Sequence, residues 1–210
     1  MTNFQRLGWV ISAAMLGVLV AAGFQGSMQK VASVDLPSLV ADSDLGKSNI
    51  AALDALRATY SDLIGFVDQN RVLTIDQAKK LQDLWLKQNP SALDKASLES
   101  LKADIVAAEK KNLELSRKPN LTAEERTQLQ DYSTRSAATE TLLNQWVQQF
   151  NQDFTQAMQQ RQADTLAKAR TAAQSVAKAQ GYTLVFASNV AIYAANDLTQ
   201  DALKAMNAQK

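Results

Sequence analysis

The 210-residue sequence contains neither cysteine nor histidine. The lack of cysteine excludes disulfide frameworks and thiol nucleophiles, and the lack of both residues excludes Cys/His zinc sites and haem ligation. Enzymes most often carry protons on imidazole, which is also missing. We therefore expect a protein that is not an enzyme and holds no metal or cofactor. With 22 basic and 21 acidic residues, no excess charge indicates a nucleic-acid partner.

Glycine and proline are scarce in the middle of the chain. No glycine lies between Phe66 and Gln180, and Pro90 and Pro119 are the only prolines there. Because turns rely on these residues, the stretch is expected to consist of long helices. Three pairs have the spacing of a capping box: Thr74 with Gln77, Ser91 with Asp94, and Thr122 with Glu125. The sequence thus predicts helices at about 44–69, 74–88, 91–117 and 122–179.

Apolar residues recur at steps of three and four in the first and last of these helices. They are Leu53, Leu56, Tyr60, Leu63 and Val67 in the first, and Leu143, Val147, Phe150, Phe154 and Met158 in the last. Such near-heptad seams are typical of helices that pair with one or two neighbours. We therefore expect residues 44–180 to form a protruding helical arm, with breaks near 70–73, 89–90 and 118–120.

Both ends of the chain beyond the arm have β-like patterns. Residues 30–35 (KVASVD), 182–187 (YTLVFA) and 190–194 (VAIYA) predict three strands, the last two joined in a hairpin, and a final helix follows to about Met206. The predicted fold class is α+β, mostly α, with a small β-rich body formed by residues 25–43 and 181–210. Because three short strands are not stable alone, we expect the body to self-associate. The side chains expected at that contact are Val31, Val34, Val185, Phe186, Ile192 and Tyr193.

Residues 1–24 have the pattern of an export signal. Arg6 precedes an uncharged run from Leu7 to Phe24, with small residues near Ala22. Two outcomes stay open: a signal peptide cleaved near Ala22, or an uncleaved inner-membrane anchor, since the run has the minimum length for a bilayer span. Both outcomes place the rest of the chain outside the cytoplasm, because the positive end stays inside.

No pattern indicates a catalytic site. Acidic residues alternate with lysines along residues 102–118, which is typical of a solvated helix face, and there is no Gly-rich phosphate loop. Aromatic side chains are the remaining candidates for a functional surface. Trp85, Tyr132 and Trp146 have two interpretations: packing within the coiled coil, or contact with a partner.

Two terminal blocks resemble the Skp/OmpH family of periplasmic chaperones. They are KVASVDLPSLVADSDLGK (30–47) and VAKAQGYTLVFASNVAIYAANDLTQDALKAM (176–206), of which the second is the more specific. The resemblance implies a jellyfish-like homotrimer, in which the strands join in one β-barrel-like body and three helical hairpins surround a central cavity. It also implies an ATP-independent holdase that shields unfolded outer-membrane proteins through many weak contacts. Trp85, Tyr132 and Trp146 would then be contacts for these clients.

The sequence departs from this family in its charge. Residues 91–126 contain seven basic and seven acidic side chains, whereas family members are often strongly basic. The balance argues against attraction to acidic clients or lipid head groups. An alternative function is an envelope scaffold or spacer, tethered through residues 7–24, that docks one fixed partner through its coiled coil. The range of proteins bound distinguishes the two functions, because a scaffold should bind one folded partner and should not bind unfolded chains.

Overall fold

The structure is a computed structural model that describes residues 30–191 and 193–208. The predicted signal or anchor segment, residues 1–24, lies outside the described residues, and so does Ile192. The elements in chain order are β1 (Val31–Val34), α1 (Leu36–Asp42), α2 (Asp44–Gln69), α3 (Ile75–Trp85), α4 (Ala92–Arg117), α5 (Ala123–Ala179), β2 (Leu184–Ala187) and α6 (Thr199–Ala208).

The chain divides into two compact units. The terminal unit comprises both chain ends, up to Asp44 and from Thr165 onward, and the central unit is Leu45–Asp164. The terminal unit contains the small sheet, whereas the described elements of the central unit are all helical. The predicted fold class, α+β and mostly α, is confirmed.

The starts of the central helices are set by local capping. Thr74 Oγ1 accepts a hydrogen bond from the Gln77 amide at 3.1 Å, and Gln77 Oε1 accepts one from the Thr74 amide at 2.8 Å. Ser91 with Asp94, and Thr122 with Glu125, make the same reciprocal pair. Each pair satisfies amides that the first turn leaves without partners, and the helices therefore begin where the sequence predicts.

Two helix boundaries differ from the prediction. Helix α3 ends at Trp85 rather than near residue 88, because Leu86 has left helical geometry and Asn89 has a positive φ of 53° just before Pro90. Helix α1 lies between the predicted strand at residues 30–35 and the predicted helix at about 44–69, where the sequence predicts no element. Pro37 lies in the first turn of α1, where its missing N–H costs nothing.

The sheet pairs the two chain ends in parallel. The register places Val31 opposite Leu184 and Val34 opposite Ala187. On its other side β1 bonds to a C-terminal segment: the Ser33 amide donates to the Asn196 carbonyl at 2.8 Å, and the Leu198 amide donates to the Ser33 carbonyl at 2.9 Å.

The strand predicted at residues 190–194, and the hairpin that included it, are wrong for the described residues. The amides of Val190 and Ala191 both donate to the Ala187 carbonyl, at 2.9 and 3.2 Å. This pair of bonds makes a turn that directs the chain away from a ladder with β2. Residues 191, 193 and 194 belong to no strand.

The central unit has its own hydrophobic core, to which all four long helices contribute. The rings of Tyr60 and Phe150 stack with centroids 4.0 Å apart and an angle of 5° between their planes. The fully buried side chains include Leu63, Leu81 and Ile105. The two predicted seams therefore meet here, although two members of the second seam are exposed: Val147, which lies between Leu143 and Phe150, and Met158 at its C-terminal end.

Asp94 provides a test of the capping geometry. Lys87 Nζ donates to its carboxylate at 2.7 Å, and the Ser91 hydroxyl and amide donate at 2.7 and 2.9 Å. The Lys87 bond first, and then the Ser91 bonds, lower the pKa of Asp94 to about 2. Because the folded-state pKa is depressed, the stabilisation is complete above the unfolded pKa of about 3.9 and is lost as the pH falls towards 2.

We expect an NMR titration of the Asp94 carboxyl to have its midpoint near a pKa of about 2. We expect Lys87→Met to raise that midpoint. Removing Lys87 takes away the largest cause of the shift and leaves the Ser91 cap in place. A midpoint at the ordinary aspartate value of about 3.9 in the unmodified protein would contradict the described geometry.

Candidate functional site

The sheet of the terminal unit has one covered face and one open face. Ala32 and Val34 are buried on the covered face, and Val185 packs against the same small core. Because strand side chains alternate between faces, Leu184 and Phe186 project to the other side, where both are exposed; Phe186 keeps 39% of its surface accessible. An isolated two-stranded sheet is at best marginally stable in water, so this open apolar face is a candidate assembly surface.

The segment after β2 exposes further apolar side chains. Val190 is 70% and Tyr193 is 86% accessible, and Ile192 lies outside the described residues. Of the other side chains predicted for the assembly surface, Val34 is buried in the single chain, and Val31 and Val185 are half-buried. Their role in assembly stays a prediction.

A pocket with a volume of about 320 Å³ adjoins the covered face of the sheet in the terminal unit. Its apolar and aromatic lining comes from both strands, α1, α5 and the segment between α5 and β2, and consists of Val34, Leu36, Ala173, Ala177, Tyr182, Val185 and Ala187. Thr183 lies in the same wall. Arg170, Gln174 and Lys178 also line it, and their spacing of four residues places them on one stripe of α5. No acidic side chain lines the pocket. We call this cavity the terminal pocket.

Neither cation of the terminal pocket is neutralised within the described part of the chain. Arg170 and Lys178 form no ion pair with any other described residue. The sequence analysis did not identify either residue, because a basic side chain on a long helix looks like part of a solvated face. The pairing of β2 with β1, which brings strand residues beside α5, creates the pocket.

The two candidate tryptophans lie in the core of the central unit. Trp146 is buried and its ring is 6.3 Å from that of Phe150. Trp85 is half-buried, with its ring 5.6 Å from that of Phe66 and with Lys102 Nζ 5.3 Å from its centroid. Packing therefore explains both side chains. Their contact with a client stays a prediction, and it would require Trp146 to leave this core.

Tyr132 lies in a second, smaller cluster of the same unit. It is buried with Val72 and Leu115, and its hydroxyl accepts a hydrogen bond from Gln128 Nε2 at 2.9 Å. A buried tyrosine with a satisfied hydroxyl is a packing residue. Client contact by Tyr132 likewise stays a prediction.

Other apolar side chains of the central unit are exposed, and the sequence analysis did not propose them as client contacts. Those that the structure exposes are Ile50, Ile75, Leu93, Val106, Leu113, Val147 and Met158. Val106 and Leu113 are seven residues apart and so share one side of α4. Val147 and Met158 belong to the predicted seam of α5, whereas the other five lie outside the two predicted seams, and that position was the available signal in the sequence.

Neither a metal site nor a membrane-spanning helix is found in the residues that the structure describes. No group of three or more acidic side chains in residues 30–191 and 193–208 could hold a metal ion. Among those residues, no helix has the length and apolar character needed to cross a bilayer.

In the described residues the helices carry scattered exposed apolar side chains, and the small sheet is open on one face. A family model described as outer membrane protein (OmpH-like) matches residues 30–206. The chain therefore belongs to the OmpH-like family, and the resemblance of its two terminal blocks is confirmed. This family consists of periplasmic chaperones, not enzymes, that bind unfolded outer membrane proteins. A comparison with curated proteins found no match.

Proposed function

We propose that this protein is an ATP-independent holdase that works as a homotrimer in the periplasm. It holds unfolded outer-membrane proteins in a cavity between helical arms and so prevents their aggregation. The observation that carries the proposal is the family match over residues 30–206, which includes both the sheet and the long helices. In this arrangement residues 25–43 and 181–210 form the trimer body, and residues 44–180 form the arm.

The open apolar face of the sheet supports self-assembly. Leu184 and Phe186 are exposed on a sheet of only two strands, which gains little stability from its own packing. Burying such side chains against other copies removes them from water at about 25 cal/mol per Å² of apolar area. Assembly would thereby cover the apolar face of the sheet that a single chain leaves exposed to water.

The surface of the central unit supports weak and unselective contact with clients. Its exposed apolar side chains, such as Leu93, Val106 and Met158, are separated along the helices by polar residues. Several of its charges are paired within the chain, as in Lys118 with Glu125 and Lys87 with Asp94. Each apolar group contributes little, but several acting together on one client hold it firmly while leaving no single residue essential.

The N-terminal segment sets the location of the protein in this proposal. We assign residues 1–24 as an export signal that is cleaved near Ala22, on the pattern of a basic start, an apolar run and small residues. Retention of residues 7–24 as an inner-membrane tether is the competing outcome. Mass spectrometry of the mature protein isolated from its native envelope separates the two.

An aggregation assay tests the holdase function. We expect protein purified from the periplasm to suppress light scattering when a urea-unfolded outer-membrane β-barrel protein is diluted into buffer without ATP. The matched control is a variant with Leu93→Ser, Val106→Ser and Leu113→Ser, which should keep its helical content and oligomeric state but suppress less aggregation. Assembled protein that binds only one folded partner and leaves the unfolded chain to aggregate would establish the scaffold instead.

A further inference from the structure

We propose that the terminal pocket receives the side chain of Tyr193 from a second copy of this chain. The inference rests on the proposed self-assembly. It names the side chain of one copy and the cavity of the other copy that would be in contact. It goes beyond contact through the open face of the sheet, because it assigns a cavity on the covered side and one side chain that fills it.

The chemistry of the terminal pocket matches a tyrosine side chain. Its volume of about 320 Å³ is at the lower end of the range in which proteins bind small groups, and its walls combine apolar side chains with the polar side chains of Arg170, Gln174 and Lys178. A tyrosine has an apolar ring and a polar tip that requires a hydrogen-bond partner when buried. The Gln174 amide can both donate to and accept from that hydroxyl. The unpaired cations Arg170 and Lys178 can approach the face of the ring.

Tyr193 does not occupy the pocket of its own chain. With 86% of its surface accessible, it is the most exposed large apolar side chain in the described residues. Three other exposed apolar side chains, those of Leu184, Phe186 and Val190, lie within the ten residues that end at Tyr193. Such a concentration of exposed apolar groups is typical of an interaction surface.

The position of β2 argues that the occupant is another copy of the chain. Val185 and Ala187 of β2 line the pocket, and the turn directly after β2 leads to Tyr193. Only one edge of β2 has a ladder partner among the described residues. A neighbouring copy that inserts its Tyr193 would therefore lie beside the open edge of β2, where unpaired backbone groups can bond to it.

The contact has a consequence for symmetry. The inserting group and the receiving pocket are different surfaces of the same chain, so the contact is heterologous. Heterologous contacts close into a ring when the rotation between copies permits. In a closed ring of three copies, each terminal pocket would be filled by Tyr193 of a neighbouring copy.

The first test compares two equally simple truncations by sedimentation. We expect Tyr193→Ser to weaken assembly by about 10- to 100-fold, as for other anchor residues at the centre of an interface. Leu93→Ser, a change at a side chain that is 77% exposed in the central unit, is expected to leave assembly unchanged. Assembly of Tyr193→Ser at the same concentration as the unmodified protein would overturn the proposal and leave the trimer intact. Unmodified protein that is monomeric throughout would instead overturn the proposed function.

The second test uses the absence of cysteine in the chain. We would mix two single variants, Thr183→Cys at the pocket wall and Ala195→Cys beside Tyr193, and add a short bis-maleimide. We expect a covalent pair of one chain of each kind, and no such pair when Leu93→Cys replaces Ala195→Cys. If Thr183→Cys reacts with a cysteine-bearing unfolded client and not with Ala195→Cys in assembled protein, the pocket binds clients and the proposal is wrong.

Discussion

Replacing Phe186 with aspartate is expected to dissociate the assembled protein into single chains. Phe186 projects from the open face of the sheet, and 39% of its surface is accessible in the single chain. The aspartate therefore costs the single chain little, but assembly would bury one unpaired carboxylate per copy. Each such charge costs several kcal/mol, and a trimer would contain three of them. Sedimentation at micromolar concentration, with the helical circular dichroism signal retained, measures this loss.

The control for Phe186→Asp is Leu93→Asp, which makes a similar change at a side chain that is 77% exposed in helix α4. We expect that variant to sediment as the unmodified protein does. If the Phe186→Asp variant still sedimented as an intact trimer, Phe186 would not be part of the assembly surface. A monomer that had also lost its helical signal would show that Phe186 stabilises the single chain, and the same measurement would then be made with Leu184→Asp.

Truncating Ile105 to alanine is expected to lower the free energy of unfolding of the central unit by about 2–5 kcal/mol. The Ile105 side chain is fully buried between its neighbours in the core, so its removal leaves a cavity as well as losing apolar burial. The adjacent residue provides the control. Val106 is 47% exposed, and Val106→Ala should change the stability by no more than about 0.5 kcal/mol.

Urea unfolding of both variants, followed by the helical circular dichroism signal, checks this contrast. If Ile105→Ala and Val106→Ala lowered the free energy of unfolding equally, the Ile105 side chain of helix α4 would not be packed in a core. The central unit would then be a pair of solvated helices, as a plain coiled-coil arm would be, rather than a helical unit with its own interior.

The parts of the fold that the sequence predicted are those with local causes. The starts of α3, α4 and α5 depend on side chains three residues apart, so a short stretch of sequence contains all the information. Leu63 and Val67 of α2, and Leu143 and Phe150 of α5, are buried on the predicted heptad seams for the same reason, whereas Val147 and Met158 of the second seam are exposed. Helix α1 is only seven residues long and has a proline in its first turn, so the sequence pattern did not indicate a helix there.

The parts that the sequence did not predict depend on distant partners. Residues 190–194 have β-forming side chains, but a strand also needs a neighbour, and residues 196–198 take the place beside β1. The burial of Trp146 and Tyr132 depends on how four helices pack, which the spacing of a single helix does not reveal. From the small size of the sheet the same exposed surface was predicted for Phe186 and Tyr193, which are exposed, and for Val34, which the single chain buries. The terminal pocket exists only because β2 lies beside α5.

The pairing of β1 with the opposite end of the chain imposes an order on folding. The bonds of Ser33 and Val31 to Asn196 cross more than 160 residues, so β1 is synthesised long before these partners exist. The central unit ends at Asp164, so the partners in its core, including the stacked rings of Tyr60 and Phe150, are all synthesised before β2. The sheet is thus expected to be the last part to form, and a chain without its C-terminal residues would lack the surface proposed for assembly.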